Sequence, residues 1–118
     1  MFVNFSNHPY ETWSDKQKEA ARQFGLIEDL PFPNVDPTLK TVEIREMAYD
    51  YYGKILRMQP DYVLCQGEFC LAFNVVNLLR EHGIRVGAAC SVRKTIDLYE
   101  DGVSKRVSVF EFEQFRDY

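Results

Sequence analysis

The segment Asp61–Ser91, DYVLCQGEFCLAFNVVNLLREHGIRVGAACS, predicts a strand, a helix and a second strand in succession. Tyr62–Cys65 is a short apolar run without alternation, which is typical of a strand buried on both faces of a parallel sheet. Phe69–His82 is long enough for a helix, and Gly83 is placed to end it. Ile84–Cys90 is the next apolar run. We therefore expect a right-handed unit in which a helix joins two parallel strands.

The flanking segments predict further strands and helices around this unit. On the N-terminal side, the hydrophobic pattern indicates a strand, an amphipathic helix, a short edge strand and a second amphipathic helix. On the C-terminal side, two alternating runs flank Asp101-Gly102, which is a strong hairpin signal. The predicted elements cover Met1–Phe5, Trp13–Phe24, Leu26–Leu30, Thr41–Met58, Thr95–Tyr99 and Val103–Phe112.

The order of these elements predicts a small doubly wound α/β domain of the Rossmann-like class over residues 1–118. Its sheet is mainly parallel and ends in an antiparallel C-terminal hairpin. In the usual arrangement, the first strand lies beside the third and the second lies outside the first. The order then reverses between strands one and three, where such sheets bind ligands at the carboxyl ends of their strands. Three polar turns should converge there: Ser6–Pro9, Gln66–Glu68 and Ser91–Lys94.

The composition limits the class of protein. A net charge of -4 argues against a protein that coats duplex nucleic acid. No apolar run approaches the roughly 20 residues that span a bilayer, so no membrane partner is predicted. The three cysteines, Cys65, Cys70 and Cys90, all lie in the apolar unit, which indicates the reduced thiols of a cytoplasmic protein. Their spacing matches no zinc pattern, and the first turn lacks the hydroxyl residues that wrap a flavin phosphate, so neither a metal nor a cofactor is expected.

His8 is the only histidine in a predicted site turn. A histidine can transfer protons at neutral pH, so its place at the switch point favours a catalytic or ligand-binding role. It equally suits a turn beside Pro9. Ser6 and Asn7 are good turn formers and equally good hydrogen-bond partners for a phosphate or a base.

The second turn contains a single glycine, so Gln66-Gly67-Glu68 is not a phosphate-binding loop. Gly67 permits a close backbone approach or a positive φ. Glu68 has three open roles: a helix cap favoured by the helix dipole, a contact to a ribose hydroxyl or adenine amine, and a nucleophile on a sugar. Phe69 begins a helix that is apolar on most sides, which indicates deep burial or a homodimer interface.

Ser91, Arg93 and Lys94 make up the third turn. A pair of basic residues in a turn is often only solvated. An anionic ligand would nevertheless need a positive group, and the planar guanidinium of Arg93 suits phosphate oxygens.

The residues NFSNHP at Asn4–Pro9, followed by a helix led by Trp13, resemble a known family. They are similar to the small CRISPR-associated Rossmann-like accessory proteins of type III systems, which are relatives of the CARF (CRISPR-associated Rossmann fold) group. Gln66–Phe69 and Ser91–Arg93 add weaker support. Several of these proteins are ring nucleases, which bind and linearise cyclic oligoadenylate second messengers. The resemblance thus implies a ring nuclease in antiviral signalling that binds its ligand across the two-fold axis of a homodimer.

The implied reaction needs no metal, because the ribose 2′-hydroxyl attacks the neighbouring phosphate in line. His8 would act as acid or base, while Arg93 and Lys94 would stabilise the phosphate charge. The predicted ligand contacts are Ser6, Asn7, Gln66, Gly67, Glu68, Phe69 and Ser91.

Two other functions stay open. A non-catalytic sensor or sponge would bind the same cyclic oligoadenylate through the same groups. A nucleoside glycosyl-transfer enzyme would use Glu68 as its nucleophile and release a free base.

Overall fold

Five strands form one sheet in the computed structural model, which describes residues 1–118. In chain order they are β1 (Phe2–Phe5), β2 (Ile27–Asp29), β3 (Tyr62–Cys65), β4 (Val86–Glu100) and β5 (Val103–Asp117). The helices are α1 (Asp15–Arg22), α2 (Thr41–Arg57) and α3 (Phe69–Glu81), and a 3-10 turn at Tyr10–Thr12 precedes α1. The proline-rich segment 31–37 carries no regular element, as proline requires.

The sheet order is β2-β1-β3-β4-β5. The first four strands in this order, β2, β1, β3 and β4, run parallel to one another. β1 pairs with β2 on one side and with β3 on the other, so Phe2 lies opposite both Ile27 and Tyr62. The predicted Rossmann-like α/β fold and the reversal of strand order between β1 and β3 are therefore confirmed.

Strand side chains alternate between two apolar layers. The larger layer lies under α2 and α3, and the smaller one lies beneath α1. Because both faces are covered, every residue of β1 and β3 is buried. The larger layer takes Val3, Phe5, Val63 and Cys65 from these strands, and the smaller layer takes Phe2, Tyr62 and Leu64.

The helices begin and end close to their predicted limits. The first helix, α1, is shorter than predicted, because Trp13 lies outside it. Ser14 caps α1 by accepting a hydrogen bond from the Gln17 amide at 3.3 Å. Gly83 ends α3 with a φ of 79°, a conformation that glycine adopts without strain. None of the helices is both long and apolar enough to cross a membrane.

The C-terminal part differs from the prediction. Ser91–Lys94, expected as a turn at the end of a strand, lies within the single 15-residue strand β4. β4 pairs with β3 only at Val86 and Gly87. β5 returns antiparallel along the whole length of β4, from the Glu100–Val103 pair to the Gly87–Asp117 pair, and so satisfies the backbone of these polar residues.

The expected hairpin turn is confirmed. Asp101 and Gly102 both have positive φ, at 50° and 74°, as a two-residue type I′ turn requires. Residues 91–112 project beyond the rest of the sheet as a two-stranded ribbon, which we call the arm.

The cysteines do not all lie in the core. Cys65 is buried and Cys90 is half-buried, but Cys70 is exposed because the first turn of α3 faces outward. All three are free thiols.

Gly87 is expected to be essential for closing the sheet. A methyl group there would overlap the Tyr62 hydroxyl and lie 2.5 Å from the Arg116 carbonyl oxygen. Tyr62 is buried and its hydroxyl donates to Asp117 at 2.9 Å; burial, followed by this bond, raises the pKa of Tyr62. Gly87→Ala should therefore lower the free energy of unfolding by roughly 1–3 kcal/mol in urea denaturation.

Gly53→Ala provides the matched control, since an added methyl in the middle of α2 would meet nothing closer than 3.6 Å. It should be neutral or stabilise the protein by up to about 1 kcal/mol. A Gly87→Ala protein as stable as the wild type would contradict the described packing of Tyr62.

Candidate functional site

A cleft of about 400 Å³ opens at the carboxyl ends of β1 and β3, where the strand order reverses. Its walls come from the turn after β1, the start of α1, the end of β3 and the base of the arm. The lining residues are Ser6, His8, Thr12, Trp13, Ser14, Gln17, Leu64, Gln66, Ala89, Ser91, Phe110 and Phe112. The site therefore occupies the position that the topology predicts for a ligand.

A buried hydrogen-bond network fixes the turn that carries His8. The His8 carbonyl accepts from Asn4 Nδ2 at 2.8 Å and from Trp13 Nε1 at 3.0 Å. The Ser6 hydroxyl donates to Asn4 Oδ1 at 2.6 Å and accepts from the His8 amide at 3.2 Å. Because these bonds engage the backbone of His8, the turn is held while the imidazole stays exposed at the cleft.

Asp29, at the end of β2, ties this turn to the chain around it. Its carboxylate accepts from the second hydrogen of Asn4 Nδ2 at 2.8 Å and from the Tyr10 amide at 3.2 Å. Asn4 is 1% exposed, so both donors of its amide are satisfied inside the protein. The wall of the cleft is thus built before any ligand arrives.

Gln66 forms the floor of the cleft between β3 and β4. Its side-chain oxygen accepts from the Ala89 amide at 3.1 Å, and its Nε2 faces the Ala89 carbonyl at 3.5 Å. The Gln66 amide thereby replaces the β3–β4 pairing, which does not extend past Gly87. These bonds to the Ala89 backbone fix the orientation of the Gln66 side chain.

An aromatic wall faces the histidine turn from the arm. Phe110 is 74% exposed, whereas Phe112 is 5% exposed and packs at 4.9 Å between ring centroids against Phe115. An exposed phenylalanine in a cleft is an available stacking surface for a planar ligand.

The positive end of α1 also opens toward the cleft, since Ser14 and Gln17 both line it. The first amides of a helix have no intrahelical acceptor, and the dipole adds positive potential there. The lining contains no carboxylate, lysine or arginine, and His8 is its only histidine. The cleft thus combines a neutral polar lining, one imidazole, one exposed ring and a helix N-terminus.

Four of the predicted site residues meet in this cleft: Ser6, His8, Gln66 and Ser91. Asn7 lies in a separate shallow depression beside Pro31 and Phe32. Gly67 packs against the Phe32 ring, which leaves no room for a Cβ atom. Phe69 is 89% exposed on the α2–α3 side of the sheet.

Glu68 caps α3. Its two carboxylate oxygens accept from the Cys70 amide at 2.9 Å and the Leu71 amide at 2.8 Å. These bonds, led by the one from Leu71, lower the pKa of the carboxyl group. Of the three roles left open by the sequence, the structure therefore displays the cap, and Glu68 does not line the cleft.

The two basic residues predicted in the third turn separate onto opposite faces of β4. Lys94 forms an ion pair with Glu111, whose pKa it lowers by a hydrogen bond. Arg93 shares the face of Ser91, lies directly opposite Phe110 and donates to Ser108 Oγ at 3.1 Å. Arg93 is therefore next to the cleft rim, whereas Lys94 points away from it.

Eight lining residues were absent from the predicted site: Thr12, Trp13, Ser14, Gln17, Leu64, Ala89, Phe110 and Phe112. The first four follow the His8 turn in sequence, so the predicted start of the first helix at Trp13 already indicated that this helix end lies at the sheet's carboxyl edge. No local signal marked the two phenylalanines, because their position depends on the full-length pairing of β5 with β4.

Comparisons with known proteins support a family assignment. Neither the curated proteins nor the solved structures gave a match. One protein family, described as "Uncharacterized protein MJ1673 family", matches residues 1–116. Because this match covers nearly the whole chain, the protein belongs to the MJ1673 family.

Proposed function

We propose that this protein is a ring nuclease that binds and linearises a cyclic oligoadenylate in type III CRISPR antiviral signalling. The observation that carries the proposal is that His8, on a turn held by hydrogen bonds, and the exposed Phe110 line one cleft that contains no carboxylate. A carboxylate would repel the phosphates of such a ligand, whereas an exposed ring favours its bases.

In the proposed complex an adenine stacks on Phe110 and the adjoining phosphate lies at the N-terminus of α1. The ribose 2′-hydroxyl then attacks the phosphorus in line, the bond to the 5′-oxygen breaks, and a 2′,3′-cyclic phosphate forms. His8 takes the hydroxyl proton or protonates the departing oxygen. Arg93, released from Ser108, turns along its own face of β4 and stabilises the phosphate charge.

The cleft volume supports a dimer with the ring shared between two subunits. At about 400 Å³ it is near the lower end of small-molecule sites, which suits one part of a cyclic oligonucleotide. Two copies related by a two-fold axis would offer two such clefts to a ligand built from repeated adenylates. We place this homodimer in the cytoplasm, where its free cysteines stay reduced.

A non-catalytic sensor or sponge is the second candidate. It is favoured by the number of polar groups at the turn that are already engaged within the protein, including the Ser6 hydroxyl and the His8 carbonyl. Only the imidazole of His8, among the lining groups, has the acid–base chemistry for proton transfer, so cleavage would depend on this one side chain. Glycosyl transfer is the weakest candidate, because both Glu68 oxygens cap α3 outside the cleft.

The catalytic role predicts a loss of rate when the imidazole is removed. With cyclic tri-, tetra- and hexa-adenylate as substrates, the wild type should yield linear products. His8→Ala should slow cleavage by roughly 10²–10⁴-fold while retaining ligand binding, as expected for removal of an acid–base group. Glu11→Ala, an exposed neighbour outside the cleft, should cleave normally. Tight binding without product in the wild type would favour the sensor, and absence of both would defeat the two readings.

The stacking role predicts a loss of affinity from Phe110→Ala. Stacking of one base on an aromatic ring contributes about 1–3 kcal/mol, so the Kd should rise roughly 5–150-fold. Tyr99→Ala is the matched control, because Tyr99 is an equally exposed ring on the same face near the tip of the arm. Equal effects of the two variants on the Kd, measured by calorimetry, would remove Phe110 from the site.

The capping role of Glu68 predicts a stability effect without a catalytic one. Glu68→Ala should lower the free energy of unfolding by about 1 kcal/mol, and Glu68→Ser, another good cap, should recover most of it. Because folding lowers this pKa, the stabilisation is present above the ordinary value of about 4.5 and is lost as pH falls through the lowered one. Urea unfolding at neutral and acidic pH measures this difference, whereas release of free base abolished by Glu68→Gln would restore the glycosyl-transfer reading.

A further inference from the structure

The arm lacks the support that the rest of the sheet receives. Beyond the base of β4, neither α2 nor α3 covers it, and the outer edges of both strands are unpaired. A two-stranded ribbon alone is only marginally stable in water. Its exposed edges and faces are therefore surfaces that another chain could cover.

One face of the arm is apolar. Side chains at even positions of β4 continue the face of Val86 toward α3, and their partners on β5 share that face. Five apolar side chains of this face are each between 38% and 57% exposed: Val92, Ile96, Leu98, Val103 and Val109. The face consists of five pairs: Val92–Glu111, Lys94–Val109, Ile96–Val107, Leu98–Lys105 and Glu100–Val103.

The two strands present the same order of side chains on this face. β4 reads Val92, Lys94, Ile96, Leu98, Glu100, and β5 reads Val103, Lys105, Val107, Val109, Glu111. Because the strands run antiparallel, a half-turn about the central Ile96–Val107 pair places valine on valine, lysine on lysine and glutamate on glutamate. Each strand thus runs from a valine and a lysine to a glutamate, so an antiparallel second copy sets the lysine end of a strand against the glutamate end of the same strand.

We propose that the apolar face of the arm binds the same face of a second copy, with the two arms antiparallel. The two-fold axis crosses the arm at the Ile96–Val107 pair, so Ile96 meets the partner's Ile96. The inference depends neither on the ligand nor on the proposed reaction. Its interface lies on the face of the arm opposite Phe110, so it is distinct from the contact across which a ring would be shared.

The charges on the face are complementary in this arrangement. Lys94 comes beside the partner's Glu100, and Lys105 comes beside the partner's Glu111. Within one chain Glu100 and Lys105 form no ion pair, although Lys94 and Glu111 do. The lysine stems can cover apolar surface while their ammonium groups reach these carboxylates.

The tip of each arm then reaches an apolar groove on the partner. This groove, about 520 Å³ in volume, lies between α2 and α3 and is walled by Phe69, Phe73 and Arg45. The two-fold axis at Ile96 places the partner's Glu100 over Val92. Val92 follows Ala89 by three residues, and Ala89 bonds to Gln66 just before α3 begins, so the partner's tip comes beside the start of α3. The acidic tip residues Glu100 and Asp101 would approach Arg45, which forms no ion pair within the chain.

The size of the contact fits a stable dimer. The five pairs of one arm supply ten residues, where a stable interface uses about 20–30 on each side. The groove, lined by eight residues, brings the total close to the lower end of that range and covers Phe69 and Phe73, which are 89% and 66% exposed. The arm carries equal numbers of basic and acidic residues, so a nucleic acid is a poor alternative occupant.

The mass of the full chain in solution tests this interface. Size-exclusion chromatography with light scattering should give a dimer for the wild type. Ile96→Glu places two like charges together at the axis and should give a monomer that keeps the helical far-UV circular dichroism of the wild type. Thr95→Glu, one residue away on the opposite face, should remain dimeric. A monomeric wild type, or an Ile96→Glu dimer as stable as the wild type, would overturn the proposal.

Cross-linking tests the orientation without relying on disruption. In a Cys70→Ser, Cys90→Ser background, Ile96→Cys should give a covalent dimer with a short bis-maleimide, whereas Thr95→Cys should not. Val92→Cys distinguishes the orientations, because the antiparallel dimer places the two Val92 positions roughly 26 Å apart, whereas a parallel dimer places them within about one strand spacing of each other. A silent Ile96→Cys protein, or cross-linking of Val92→Cys, would overturn the antiparallel dimer. Light scattering and cross-linking both measure the mass of the protein without any ligand. A failure of the dimer proposal would therefore be distinguishable from a failure to cleave a cyclic oligoadenylate.

Discussion

The antiparallel pairing of β5 with β4 along its full length is the constraint on which the described features depend. At the base, the Gly87–Asp117 pair brings Asp117 to the Tyr62 hydroxyl, which seals the smaller apolar layer. In the middle, the pairing carries Phe110 and Phe112 to the mouth of the cleft. At the far end, the pairing alone holds the two strands of the arm together. One ladder of backbone hydrogen bonds therefore sets the sheet edge, one wall of the site and the proposed dimer surface.

The opposite wall depends on a second, smaller constraint, the buried amide of Asn4. This side chain joins the His8 carbonyl, the Ser6 hydroxyl and the Asp29 carboxylate, which belong to three different stretches of the chain. A buried amide tolerates no missing partner, because an unsatisfied polar group costs about 1–3 kcal/mol. The geometry of the turn is thus held by burial and hydrogen bonding together, and this fixes the backbone position from which the exposed imidazole of His8 extends.

The sheet order was predictable because its causes are local. Unbroken apolar runs such as Tyr62–Cys65 identify strands buried on both faces, and Gly83 marks a helix end without any knowledge of the fold. The arm was not predictable in the same way. Ser91–Lys94 is polar and resembles a turn, yet period-two alternation continues through Val92 and Ile96, and β5 supplies the hydrogen bonds that keep it extended. Glu68 could not be assigned from sequence, because capping, binding and nucleophilic roles all favour a carboxylate there.

The two proposals meet in the arm, because its two faces carry different parts of the molecule. Phe110 and Arg93 lie on the face toward the cleft, and Ile96 and Val107 lie on the opposite face. A ribbon that is marginal alone would be ordered by a second copy, and the same ordering would hold Phe110 in place for a ligand. Such coupling is reciprocal: a partner that improves ligand binding through the arm must itself be bound more tightly when the ligand is present. Dimer formation and ligand binding would then be linked by the stiffness of one hairpin, with no need for a change in the central sheet.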